Sequence, residues 1–141
     1  MDNSSFMAKQ AHLKALFADC DTQDKIYLKI IELGKALPSF PEEQKLPHNL
    51  VKGCQSQMYL TVSVDKGKLQ FRAYSDALIS AGLAALLLAL YNDEPPEVIL
   101  SCPPTLLTDL NLQKSLSPGR SNGLASLFNK MKLYATILKN G

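Results

Sequence analysis

Met58-Tyr59-Leu60-Thr61-Val62-Ser63-Val64-Asp65-Lys66-Gly67-Lys68-Leu69-Gln70-Phe71-Arg72-Ala73-Tyr74 is the stretch whose reading settles the fold. Met58, Leu60, Val62 and Val64 alternate with Tyr59, Thr61 and Ser63, so an extended segment here has one apolar face. Asp65-Lys66-Gly67-Lys68 has the chemistry of a turn. Leu69, Phe71 and Ala73 then alternate with Gln70, Arg72 and Tyr74. The pattern predicts an antiparallel hairpin with one face on a core. Carried back from Met58 across a turn, the same parity puts Cys54 on the core side. Apolar surroundings raise a thiol's pKa and shelter it from oxidation. A thiol so placed needs a partner to expose or ionise it.

Downstream, Ser75-Asp76 opens a helix over Ala77–Tyr91 that is apolar nearly all round, the mark of a buried helix, and too short to span a membrane. Ala81, Gly82, Ala84 and Ala85 on it let neighbours pack close. Asp76 has two readings: a helix cap, or a carboxylate that orients a partner or a side chain near the thiol. Prolines at 95, 96, 103, 104 and 118 then break the chain, leaving short helices at Glu97–Ser101 and Thr105–Leu112. Ser117 to Gly123 reads as the loop before a last helix striped by Leu124, Leu127, Phe128, Met131, Tyr134, Ala135 and Leu138.

Upstream, Lys9–Phe17 reads as a short helix. Asp21-Thr22-Gln23-Asp24 opens a second, whose stripe of Ile26, Ile30, Leu33 and Leu37 ends at Pro38. A long connection with prolines at 38, 41 and 47 leads to Gly53. The expected class is α+β: a small antiparallel sheet, the hairpin plus a short third strand near Asn49 to Lys52, packed by several helices in one domain over residues 1–141.

With 46% apolar and 20% charged residues the chain has the composition of a globular protein, and a net charge of +2 with scattered cations argues against nucleic acid. Three cysteines, an odd count without CxxC, argue against a disulfide framework and for a reducing compartment. Met1 to Phe6 has no basic-then-apolar leader pattern, so a cytoplasmic location away from membranes is expected. Cys20 and Cys102 sit in settings that suit packing. Cys54 sits between Gly53 and the polar Gln55, Ser56 and Gln57. His48 lies close enough in sequence to leave a Cys–His pair open. Iron–sulfur clusters need about four ligands, mostly thiolates, and zinc sites a similar set. No such spacing occurs, so no metal site is expected.

Gly53-Cys54-Gln55-Ser56-Gln57 resembles the cysteine motif of the SufE family, sulfur acceptors of iron–sulfur cluster assembly. Tyr27 to Gly34 followed by Leu37-Pro38 resembles the family's early helix. Tyr74-Ser75-Asp76-Ala77 with Gly82 resembles its Ser-Asp-Ala segment. Gly119-Arg120-Ser121-Asn122-Gly123 resembles its Ser-Arg-x-x-Gly signature, with Gly119 in place of the serine. Met58-Tyr59-Leu60 stands where valine and tryptophan are expected. The matches run from about Lys25 to Leu138.

The resemblance implies a fold shared with IscU-type scaffolds and a pyridoxal-phosphate-dependent cysteine desulfurase as partner. It implies that Cys54 takes the enzyme's terminal sulfur as a persulfide, stimulates the enzyme and passes sulfur to an iron–sulfur scaffold complex. Cys54 is then the carrier, with Gly53, Gln55, Ser56, Asp76 and Arg120 supporting it or binding the partner. Arg120 reads either as a solvated loop anchor or as a permanent cation that favours the thiolate or persulfide anion. No cofactor of the chain's own is implied, and no stand-alone enzyme. The rival readings are a regulator of a desulfurase with an inert Cys54, an iron–sulfur scaffold, and a thiol hydrolase with His48 as base. The oligomeric state, homodimer included, stays open.

Overall fold

A computed structural model of the chain describes residues 2–112 and 116–140. The hairpin forms as its alternation predicts. Strand β1 (Met58–Asp65) pairs antiparallel with β2 (Lys68–Ser75), Leu60 opposite Ala73 and Val62 opposite Phe71. Lys66 and Gly67 both have positive φ, as a two-residue hairpin turn requires. Leu60, Leu69, Phe71 and Ala73 are buried.

The expected third strand is a correction. Only an isolated bridge joins Leu50 to Tyr59, with Val51 N–H donating to the Met58 carbonyl at 2.8 Å. Pro47 to Asn49 form a 3-10 turn immediately before it, and Gly53 turns the chain away just after, leaving no length for a ladder. On the other edge Leu69 bridges to Glu94. Asn92 also serves as a strand neighbour: its side chain accepts from Phe71 N–H at 2.6 Å and donates to Phe71 O at 3.1 Å.

The sheet's outward face is not bare. Phe40 packs against Tyr59 and Tyr74, and Lys45 sits 3.7 Å above the Tyr74 ring. Buried Asn49 donates to the Gln44 carbonyl at 2.8 Å, fixing the same loop. These contacts order the long proline-rich connection.

Helix α1 (Ser4–Leu16) starts earlier than its apolar stripe indicates, and α2 (Gln23–Lys35) is capped by Thr22, whose hydroxyl accepts from Lys25 N–H at 3.2 Å. Helix α3 (Leu78–Tyr91) is the centre of the molecule and packs against α1, α2, β2 and the last helix. Two short helices, α4 (Pro96–Ser101) and α5 (Thr105–Asp109), follow. The last, α6, runs from Pro118 to Asn140. Its start is a second correction: Arg120 and Gly123, expected in a loop, lie in its first turns. Proline at a first helical position lacks only an N–H that no helical partner would use. Ser117 then accepts from Arg120 N–H through its hydroxyl at 3.4 Å and from Ser121 N–H through its carbonyl at 2.9 Å.

Tyr91 joins the layers. It stacks on Phe6 of α1 and Phe128 of α6, with its hydroxyl donating to Cys102 O at 2.7 Å. Lys9 reaches the buried Glu94 at 2.6 Å and also donates to the Asn92 carbonyl. Among the described residues no helix is long and apolar enough to cross a membrane.

The tightest crossing joins α2 and α3. A methyl group on Gly82 would overlap the Ile30 carbonyl oxygen, and one on Gly34 would lie 2.6 Å from Gly82 N. Backbone cannot give way as a flexible side chain can. Gly82→Ala is therefore expected to lose about 2 kcal/mol or more in chemical denaturation, as overpacked cores do. A gain of about 1 kcal/mol, the helix-propensity value for this exchange, would contradict the close crossing.

Candidate functional site

Gly53 lets the chain turn at φ +88°, a left-handed value that side chains other than glycine's seldom tolerate. A Cβ there would also lie 2.7 Å from Ser126 Oγ of α6. The turn presents Cys54 to the first turns of α6. The half-buried thiol donates to the Gly123 carbonyl at 3.7 Å. A Cβ on Gly123 would come 3.0 Å from the sulfur, and one on Gly119 would overlap the Gln55 amide. Gly119 and Gly123 stand one turn apart, so together they make a shallow seat for residues 53–55.

The cysteine loop is stapled at both ends. At its start is the Val51–Met58 backbone bond. At its end Gln57 N–H donates to Asp76 Oδ1 at 3.0 Å, and Asp76 N–H returns a bond to Gln57 O at 3.2 Å. Ser56 and Ser75 hydroxyls lie 3.2 Å apart beside this pair. The capping reading of Asp76 is thus overturned. Ala77 is the residue before α3, no side chain caps that end, and the carboxylate faces the loop instead. Asp76 holds the strand-side end of the loop, while the sulfur tip rests on one weak bond.

Cys54, Gln55, Ser56, Gly119, Gly123 and Arg120 border one cleft of about 200 Å³, completed by Ala77 just before α3 and Ser80 within it. Five of the six residues expected at the site therefore touch this region directly or, for Gly53, turn the chain into it, and Asp76 anchors it from outside. The Arg120 guanidinium makes no hydrogen bond or ion pair among the described residues. The hairpin, α3, α4 and α5 lie between it and Cys54 in sequence.

His48 does not join them. It is exposed and lies on a neighbouring groove, its carbonyl accepting from Lys130 Nζ at 3.1 Å. Cys54 therefore has no imidazole partner. Cys20 donates to Lys25 O at 3.7 Å, and Cys102 is buried. Among the described residues no group of His, Cys, Asp or Glu side chains is placed to hold a metal ion. Ser80 was invisible in the sequence, where it is one hydroxyl in an apolar helix. Gly119 and Gly123 were visible but read as loop residues.

Burial pushes the Cys54 thiol above its ordinary pKa. The bond to the Gly123 carbonyl acts the same way, because a carbonyl oxygen can only accept and ionisation loses the bond. Folding thus favours the neutral thiol. The resulting stabilisation is complete below the unfolded-state thiol pKa, about 8.5, and is lost as pH rises through the higher folded value. Alkylation of Cys54 in the isolated protein, followed by peptide mapping to separate it from Cys20, is expected to reach half its plateau at higher pH than a free thiol does. A normal or lowered midpoint would contradict this setting. Arg120→Gln is expected to leave the profile in place, since burial is the cause of the shift.

Three comparisons bear on this arrangement. Residues 11–135 match the family model described as SufE, an Fe-S metabolism associated domain. The whole chain is 33% identical to an uncharacterised SufE-like protein of Synechocystis, of which it covers 89%. The fold is similar to the solution structure of a hypothetical protein from Thermus thermophilus. The TM-score is 0.76 at 21% identity, over 94% of this chain and 97% of that one. That likeness supports the α+β architecture.

Proposed function

We propose, from the premise that this chain belongs to the SufE family of iron–sulfur metabolism proteins, that Cys54 is a sulfur acceptor and carrier. The donor is a pyridoxal-phosphate-dependent cysteine desulfurase holding sulfur as a cysteine persulfide. The observation that carries the reading is the cleft that Cys54 shares with Arg120.

The transfer is thiol–disulfide exchange. Cys54 loses its proton, and its thiolate attacks the terminal sulfur of the donor's persulfide. An S–S bond forms at Cys54 as the donor's S–S bond breaks. The donor cysteine leaves as a thiolate and takes up a proton, with no net oxidation. Removal of sulfur frees the donor for another turnover, which accounts for stimulation. The carrier then yields its terminal sulfur to a cluster scaffold by the same exchange.

The resting geometry opposes the first step, because the thiol is sheltered and neutral. Docking has to lift residues 53–55 from the Gly119–Gly123 seat, and the loose tip between two firm ends makes that the yielding part of the loop. Arg120, permanently charged and lining the cleft, is the group to hold the anionic terminal sulfur afterwards. A reducing cytoplasmic setting fits a free, exchange-active thiol.

The same sheltering favours a second reading, a desulfurase regulator whose Cys54 is structural. Intact-protein mass and peptide mapping after incubation with a desulfurase and cysteine, without reductant, separate the two. The carrier reading predicts added sulfur on Cys54, with Cys54→Ser losing both the adduct and the rise in turnover. Stimulation that survives in Cys54→Ser, with no adduct on the wild type, would make the chain a regulator.

A further inference from the structure

Beside the cysteine cleft lies a larger groove of about 520 Å³ between residues 47–52 and α6 from Ser126 to Leu133. Its end abuts the cysteine loop. Lys52 immediately precedes Gly53, and Ser126 lines the groove while standing against Gly53. Leu50, Val51 and Leu133 supply apolar surface, with Leu133 itself 57% exposed. No Asp or Glu is among the lining residues.

The groove is charged on one sign only. Lys130 is held in place by the His48 carbonyl at 3.1 Å, a neutral acceptor. Partial burial and then the nearby Lys52 charge push the Lys130 ammonium below its ordinary pKa. The Lys52 ammonium has no hydrogen bond or ion pair among the described residues. Two cations thus line one groove with no carboxylate among its lining residues. A carboxylate arriving from outside would relieve their repulsion and complete the groove.

We propose that this groove docks a segment of the cysteine desulfurase that carries a carboxylate beside an apolar side chain, Lys52 and Lys130 taking the carboxylate and Leu133 the apolar group. The proposal rests on the carrier reading. Its occupant is the sulfur donor because the groove ends on the loop the donor must reach. Occupation bears directly on Lys52, the hinge side of Gly53, and so couples docking to release of the Cys54 tip.

The test is steady-state desulfurase turnover against carrier concentration, in Lys52→Glu, Lys130→Glu and the double variant. The double variant is expected to raise the KM for the carrier about tenfold or more while kcat at saturation stays near wild type. Added salt should weaken the wild type more than the double variant. A second measurement uses the wild type alone: reductive methylation of lysines, free and in the desulfurase complex. Both Lys52 and Lys130 are expected to be protected in the complex. Equal labelling of both in the two states overturns the proposal, whatever the variants do. So does a defect confined to transfer onto the scaffold, or to self-association, with the desulfurase KM unchanged. A wild type that acquires no sulfur would instead sink the carrier reading. Normal loading of the double variant at unchanged KM would sink only the docking site.

Discussion

The seating of the cysteine loop on the glycine face of α6 is the contact on which the functional site depends. Two glycines inside a helix cost about 1 kcal/mol each against alanine. At Gly123 that cost is met because a Cβ would crowd the Cys54 sulfur, whereas at Gly119 it would displace only the flexible end of the Gln55 side chain. The seat sets how far the thiol is buried, and burial sets its pKa. The same contact puts Arg120 on the border of the cleft that holds the thiol, because the arginine lies in the turn between the two glycines. Position and protonation state are therefore two consequences of one close approach.

Around the seat, rigidity is unevenly distributed. The hairpin, α3 and the Tyr91 stack form a packed interior in which Ile30, Leu60, Leu86, Leu90 and Leu127 are fully buried. The α2–α3 crossing admits no side chain at Gly82. The loop is tied into this frame at Val51 and Gln57, whereas among the described residues its tip is held by a single thiol–carbonyl bond. A segment with firm ends and a weak middle opens locally without unfolding the remainder. That division suits a thiol that has to be inert alone and reactive in a complex.

What the sequence made legible follows from the range of the interactions involved. The hairpin, α2 and α3 were readable because strand alternation and helical stripes are local and the core obeyed them. Cys54's core-side position followed by parity from Met58, even across the bend at Gln55 and Ser56. The start of α6 was not readable, because Pro118, Gly119 and Gly123 carry the composition of a loop. Their place in a helix is decided by the loop packed against them. Asp76 had two readings, a cap on α3 or a carboxylate near the thiol, and its bond to Gln57 is a choice only the folded hairpin offers. The third strand failed for want of length between the Pro47 turn and Gly53. His48 and Cys54 are near in sequence and turned to different clefts. Lys52 and Lys130, far apart in sequence, share one groove.

On the proposed reading, Cys54 is sheltered at rest and made reactive by its donor. Quench-flow single turnover tests it most directly. A desulfurase preloaded with labelled sulfur, without free cysteine, is mixed with the wild-type chain across a pH series. Label is expected to move to Cys54 at neutral pH, with a transfer midpoint below that for alkylation of the isolated thiol. Label that stays on the enzyme, or moves with the same pH dependence as alkylation, would contradict it.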